Sequence, residues 1–151
     1  MAKENVDIVI NLYQKWLDEW NARNAAGMTH LFAENGNLIG FDGSQIIGKD
    51  ELLDVLGNIF SHHPTAAYVA LIREIRLLSP GVAWLKADVG MVPAGKDDIN
   101  PALNAVQTMI AVKDEDAWKI SVFQNTPAAF HALPELSQRM TADLREVLRN
   151  G

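Results

Sequence analysis

Four long stretches in the second half of the chain carry the two-residue period of extended backbone: Tyr68 to Leu78, Val82 to Pro93, Leu103 to Val112 and Ala117 to Thr126. Ser79-Pro80-Gly81 and Asp114-Glu115-Asp116 connect two pairs of them tightly, and strands joined that closely run antiparallel. The last stretch places Trp118, Ile120 and Val122 on one face and Lys119 and Ser121 on the other. A sheet of such strands has a hydrophobic face that something else in the chain must cover.

The first half supplies the cover. Val6, Val9, Ile10, Tyr13, Trp16, Leu17 and Trp20 recur at three- and four-residue steps, the stripe of an amphipathic helix, and the stripe is rich in aromatic rings. Asn21 and Asn24 break it, and a second short helix is expected through Met28, Leu31 and Phe32. Leu38 to Phe41 reads as a strand, Asp42-Gly43-Ser44 as a turn and Gln45 to Gly48 as the returning arm of a hairpin. Asp50 is expected to cap a third helix that buries Leu52, Leu53, Leu56, Ile59 and Phe60 and stops at His62-His63-Pro64. Pro93 to Pro101 is a polar loop. Helices first and strands later predict an α+β fold, not an alternating parallel one. Near the end, Pro134 opens a further amphipathic helix with Leu136, Met140, Leu144, Val147 and Leu148 on its stripe. The expected organisation is a pocket-forming domain over residues 1–130 and a terminal helix over 131–151, packed on that domain or on a partner subunit.

Composition removes several functions. A net charge of −6 leaves no clustered cationic surface for nucleic acid or an anionic membrane. With 0 cysteines there is no disulfide framework, thiolate metal site or cysteine nucleophile. No segment reaches the roughly 18 consecutive apolar residues of a membrane span. A cytoplasmic protein without cofactor or metal is expected.

Trp20-Asn21-Ala22, Leu31-Phe32-Ala33-Glu34-Asn35-Gly36, Asp42-Gly43 with Ile47-Gly48-Lys49, Trp118-Lys119-Ile120 and Phe123-Gln124-Asn125-Thr126-Pro127 follow one another in the order and spacing of a known pattern. Over roughly residues 4 to 127 the chain resembles the nuclear-transport-factor-2-like superfamily, its SnoaL-like group, and most closely the SgcJ/EcaC branch. The resemblance implies a cone of curved antiparallel sheet wrapped by helices, a pocket at the wide end and a homodimer through the sheet's outer face. It implies no single activity, because the superfamily holds isomerases, cyclases, dehydratases, epoxide hydrolases and association domains. No Gly-rich dinucleotide loop supports redox chemistry.

Within that frame Tyr13, Trp16, Trp20 and Phe41 are candidate walls for a flat apolar ligand, although a helix stripe of this kind also serves as core. His62 is the candidate acid or base at the pocket mouth, favoured over His63, which Pro64 constrains; the alternative has both rings in water at a helix C-terminus. Adjacent histidines are poorly placed to share a metal ion. Gln107 and Gln124 are polar groups in apolar strands, and the parity of Gln124 with Trp118, Ile120 and Val122 points it inward, while Asn125 is expected to face outward. Asp88 has outer-face parity and is expected to pair with Lys86 or Arg76. Arg73 and Arg76 are read as lying on opposite faces of their strand. Asp42 is a turn residue. Two functions fit. One is a pocket protein for an apolar or aromatic small molecule, with general acid/base chemistry if it is an enzyme. The other is a non-catalytic dimerisation or association module.

Overall fold

The computed structural model describes residues 2–151. Three helices precede the long strands: α1 (Ala2–Asn21), α2 (Ala25–His30) and α3 (Lys49–His62). Between α2 and α3 lies a hairpin of β1 (Phe32–Ile39) and β2 (Gln45–Ile47). Then come β3 (Ala67–Ser79), β4 (Val82–Val92), β5 (Ala105–Asp114), β6 (Ala117–Pro127) and the terminal α4 (Pro134–Asn150). One six-stranded sheet runs in the order β2-β1-β6-β5-β4-β3. Its neighbours are antiparallel except β1 and β6, which are far apart in sequence and pair parallel. The α+β architecture expected from the sequence, helices first and a single sheet of long strands after them, is present.

Several elements start or stop where local chemistry differs from the sequence expectation. α2 ends at His30, and Phe32 already belongs to β1. Leu103 lies in a single 3-10 turn, Pro101–Leu103, before β5. The N-cap of α3 is Gly48 at φ +88°, not Asp50, which sits in the first turn where its carboxylate favours the positive helix end.

Two bulges decide which side chains face in. Ile110 pairs with Val122 but Ala111 pairs with Ile120, so Ser121 is an extra residue in β6. Trp118, Ile120 and Phe123 are therefore all buried on the concave side, and Val122 turns outward. In β3 the register passes from Ile72↔Ala87 to Glu74↔Lys86, leaving Arg73 as the extra residue. Arg73 and Arg76 consequently share the outer face.

The main core lies between α1 and the concave face. Trp16 is 2% exposed and stacks on Phe123 with ring centroids 4.1 Å apart. Asn21, at the C-terminus of α1, finishes the exposed edge of β3: its Oδ1 accepts from Tyr68 N at 2.8 Å and its Nδ2 donates to Tyr68 O at 3.3 Å. Edge amides that would otherwise be unpaired are satisfied, and Tyr68 is fixed in place. A second cluster lies on the outer face, where α4 covers part of β3 and β4 with Met140 and Leu144 against Ile99, Val69 and Leu71. Gly90 permits this approach, since a Cβ there would lie 3.3 Å from Leu144 Cδ1 and from Ile99 Cγ2. Arg73 bolts the contact by donating to Asp88 at 2.8 Å and to Asp143 of α4 at 2.7 Å. Asp88 thus pairs with Arg73 and not with Lys86 or Arg76.

Leu144 is fully buried, so Leu144→Ala should destabilise by about 2–5 kcal/mol in urea unfolding. Leu136→Ala, at an exposed site on the same helix, should stay within about 0.5 kcal/mol. Equal effects of the two substitutions would contradict this docking of α4.

Candidate functional site

The concave face, α1, α3 and the β1–β2 hairpin enclose a cavity of about 330 Å³. Its roof is Trp16 and Trp20 from α1, and its side is Val55, Leu56 and Ile59 from α3. The hairpin contributes Leu38, Ile46 and the turn residues Gly40, Phe41, Asp42 and Ser44. Tyr68, Met91, Leu103 and Asn125 complete the lining. The mouth lies at the hairpin turn, where Phe41 and Asp42 are exposed. Trp20 is held by its indole N–H, which donates to Ala66 O at 2.8 Å, and by edge contact with Phe60 at 5.2 Å between centroids.

Two polar side chains of the concave face are cross-strand neighbours, because Gln107 and Asn125 are register partners on β5 and β6. Tyr13 donates its hydroxyl to Gln107 Oε1 at 2.6 Å, and Asn125 Nδ2 donates to the Tyr68 hydroxyl at 3.1 Å. Burial raises the Tyr68 phenol pKa, and hydrogen bonding from Asn125 and then Gln107 opposes that rise. Burial also raises Tyr13, reinforced by the nearby Tyr68 and Asp88. Both phenols therefore stay protonated through neutral pH and can donate. Asp42 is shifted the other way, since the hydroxyl and backbone N–H of Ser44 hold its carboxyl below the ordinary range.

Of the residues singled out in the sequence, Trp16, Trp20 and Phe41 line the cavity. Tyr13 and Gln107 lie behind it, fully buried and bonded to each other. Two residues are elsewhere. The bulge at Ser121 puts Gln124 on the outer face, exposed, and brings Asn125 inside, the reverse of the parity expected for both. His62 is exposed, and its Nδ1–H donates to Asn58 O of its own helix at 2.8 Å; His63 is exposed as well. Neither histidine lines the cavity. Among the lining residues that sequence reasoning did not place in the site, Tyr68 and Asn125 carry the hydrogen-bonded polar pair. The signal for Tyr68 was its place as the first aromatic of β3; Asn125 was hidden by the bulge. Among the described residues no group of three or more His, Cys, Asp or Glu side chains is arranged to hold a metal ion. Among the same residues no helix is long and apolar enough to cross a membrane.

A sequence-family profile described as SnoaL-like domain matches residues 9–125. No curated protein matches the chain. Among solved structures, a cystatin-like domain of unknown function from Nostoc punctiforme is similar at a TM-score of 0.76 and 18% identity, over 97% of this chain and 98% of that one. An NTF-2-like protein of unknown function from Shewanella oneidensis aligns at 0.66 and 20% identity, over 80% and 97% of the two chains. A ketosteroid isomerase-like protein from Erwinia carotovora atroseptica aligns at 0.66 and 16% identity, over 83% and 98%. Identities this low establish the fold alone.

The chain has 2 tyrosines, both in the interior network, which makes their titration readable. The folded protein should show no phenolate absorbance at the ordinary tyrosine value of 10.0. A raised folded pKa contributes stability below the unfolded value and loses it above, so stability should fall as pH rises past 10.0. A native absorbance titration with a midpoint near 10.0 would contradict the buried network.

Proposed function

The chain belongs to the SnoaL-like domain family, and we propose that it binds an apolar or aromatic small molecule in the cavity beneath α1 and α3. The observation that carries this is an aromatic-walled cavity of about 330 Å³ with one polar corner, made by Tyr68 and Asn125. Ligand sites are mostly apolar with a few placed polar groups, and their volumes begin near about 300 Å³. In this proposal Trp16, Trp20 and Phe41 supply contact area and Tyr68 donates to a ligand oxygen. Tyr13 and Gln107 support the polar corner from behind. His62 and Gln124 have no part in it. The likeness to the Erwinia ketosteroid isomerase-like protein is compatible with acid/base turnover, for which Tyr68 is the proton-donating group in the lining. Placement in the SgcJ/EcaC branch, which rests on the order of the quoted motifs, belongs to the same proposal. So does a cytoplasmic setting, which rests on the cysteine-free composition.

The neutral naphthalene ketone prodan should bind with blue-shifted emission. Val55→Trp, which fills the cavity from α3, should abolish that binding while circular dichroism stays native. Undiminished binding by the variant would reject this cavity as the site.

The outer sheet face carries a second proposal, a homodimer. Trp84, Ile110 and Val122 form one cross-strand row there, half-buried and left uncovered by α4. Arg76 and Lys86 lie over the Trp84 ring at 5.1 and 5.9 Å. An apolar row of this kind gains by pairing with its own copy across a two-fold axis. Light scattering should give a dimer at micromolar concentration, and Ile110→Asp should give a folded monomer. A wild-type monomer would reject the dimer. A dimer without any cavity ligand would favour the association-module reading.

A further inference from the structure

Resting on the cavity proposed above, we infer that residues 57–64, the second half of α3 and the start of the connector after it, form a flap that opens to admit the ligand and closes over it. Ile59 of this segment lines the cavity, and Phe60 meets the edge of the Trp20 ring in the roof. The segment hangs between two anchors. Before it, Leu52 and Leu56 are 0% and 1% exposed, where α3 packs on α2, β1 and β2. After it, Thr65 accepts from Arg23 through Oγ1 at 3.1 Å and through its carbonyl at 2.9 Å, and Ala66 O takes the Trp20 indole N–H. Between the anchors no residue is buried: Gly57, Ile59 and Phe60 are half-buried and the others are exposed. Polar contacts at its end stay inside it, His62 Nδ1–H donating to Asn58 O at 2.8 Å and His63 N–H to Ile59 O at 2.9 Å.

Gly57 makes the segment easy to release. It lies in the interior of a 14-residue helix, where glycine weakens the helix because its unfolded backbone is the freest. Neither space nor backbone geometry calls for glycine there. Its backbone is helical, and a Cβ would meet nothing within 4 Å. At the far end Pro64 stops the helix, and His63 is extended. A segment with few buried contacts opens at a lower free energy than the whole domain. The rest of the lining is tied down. Trp16 stacks on Phe123, and the strands lie in the sheet ladder. The hairpin turn is closed by Gly40 N–H to Ser44 O at 2.9 Å and by Ser44 N–H to Asp42 Oδ1 at 2.9 Å. That turn, at Phe41, is the competing way in.

Gly57→Ala separates the two routes, because it favours the closed helix about fivefold and adds a methyl group that touches nothing. Stopped-flow fluorescence with prodan should show association and dissociation both slowed about fivefold at unchanged Kd, since the free and bound closed forms gain equally. Hydrogen exchange on the unliganded protein adds an arm that needs no ligand. The amides of residues 60–63 should exchange about a hundredfold or more faster than those of the fully buried Met109 and Ala111 in β5. Gly57→Ala should slow them about fivefold. Unchanged prodan rates in the variant would overturn the flap as the entry and leave the turn at Phe41. Exchange of residues 60–63 as slow as that of β5 would overturn the flap whether or not prodan binds. Prodan failing to bind the wild type would reject the cavity and the gate together, whereas binding with unchanged rates would reject the gate alone.

Discussion

Trp16 lying flat on Phe123 is the contact on which the interior depends. It joins the middle of α1 to the centre of the concave sheet, and the surrounding rings take their positions from it. Tyr13 stacks on Phe123 from one helical turn earlier, at 6.3 Å. Trp20 stacks on Trp16 from one turn later, also at 6.3 Å. Residues three or four apart share a helix face, so three aromatic rings at such steps form a continuous plate. The rings pack closed around Tyr13, which is fully buried, and leave the cavity beside Trp16 and Trp20. Core and cavity are thus made by successive turns of one helix.

The interior polar groups are only partly satisfied within the protein. Under Tyr13 the hydroxyl and the Gln107 carbonyl satisfy each other in a fully buried contact. Gln107 Nε2, Trp16 Nε1 and Asn125 Oδ1, by contrast, have no protein partner. A buried hydrogen bond contributes only about 1 kcal/mol net, whereas an unpaired buried group costs about 1–3 kcal/mol. A core serving stability alone would therefore have apolar side chains at these positions.

Element types and order were readable from hydrophobic period alone, as were the aromatic plate and the terminal helix, because each rests on many residues that agree. Facing direction in β3 and β6 was not. Period-two parity carries forward only while the ladder is unbroken, and a single extra residue inverts every assignment beyond it. Nothing in Lys119-Ile120-Ser121-Val122 marks Ser121 as that residue, since Val122 is as apolar as Ile120. Gln124 and Asn125 were exchanged for this reason, and Arg73 was set on the wrong side of its strand by the same device. The His62 expectation failed differently. Its ring is satisfied locally, by a carbonyl one turn back, and sequence gives no measure of where the end of α3 stands relative to the cavity.

The outer face shows how one sheet surface is divided between its own chain and its surroundings. Arg73, Asp88 and Asp143 form the visible clasp between α4 and the sheet, but Arg73 and Asp143 keep about a third of their side-chain surface in water. Ion pairs that exposed contribute at most about 1 kcal/mol each. Full burial of one leucine side chain is worth about 1.5–3 kcal/mol, so Leu144 and Met140 hold the helix and the clasp sets its register. Gly90 fixes where that can happen, because only there does β4 lack a side chain on the outer face to keep Leu144 away. The helix is thereby confined to the β3–β4 end nearest Gly90. Arg76 and Trp84 lie farther along those strands and Ile110 and Val122 continue their row across β5 and β6, outside the reach of α4, which leaves that row free for a partner surface.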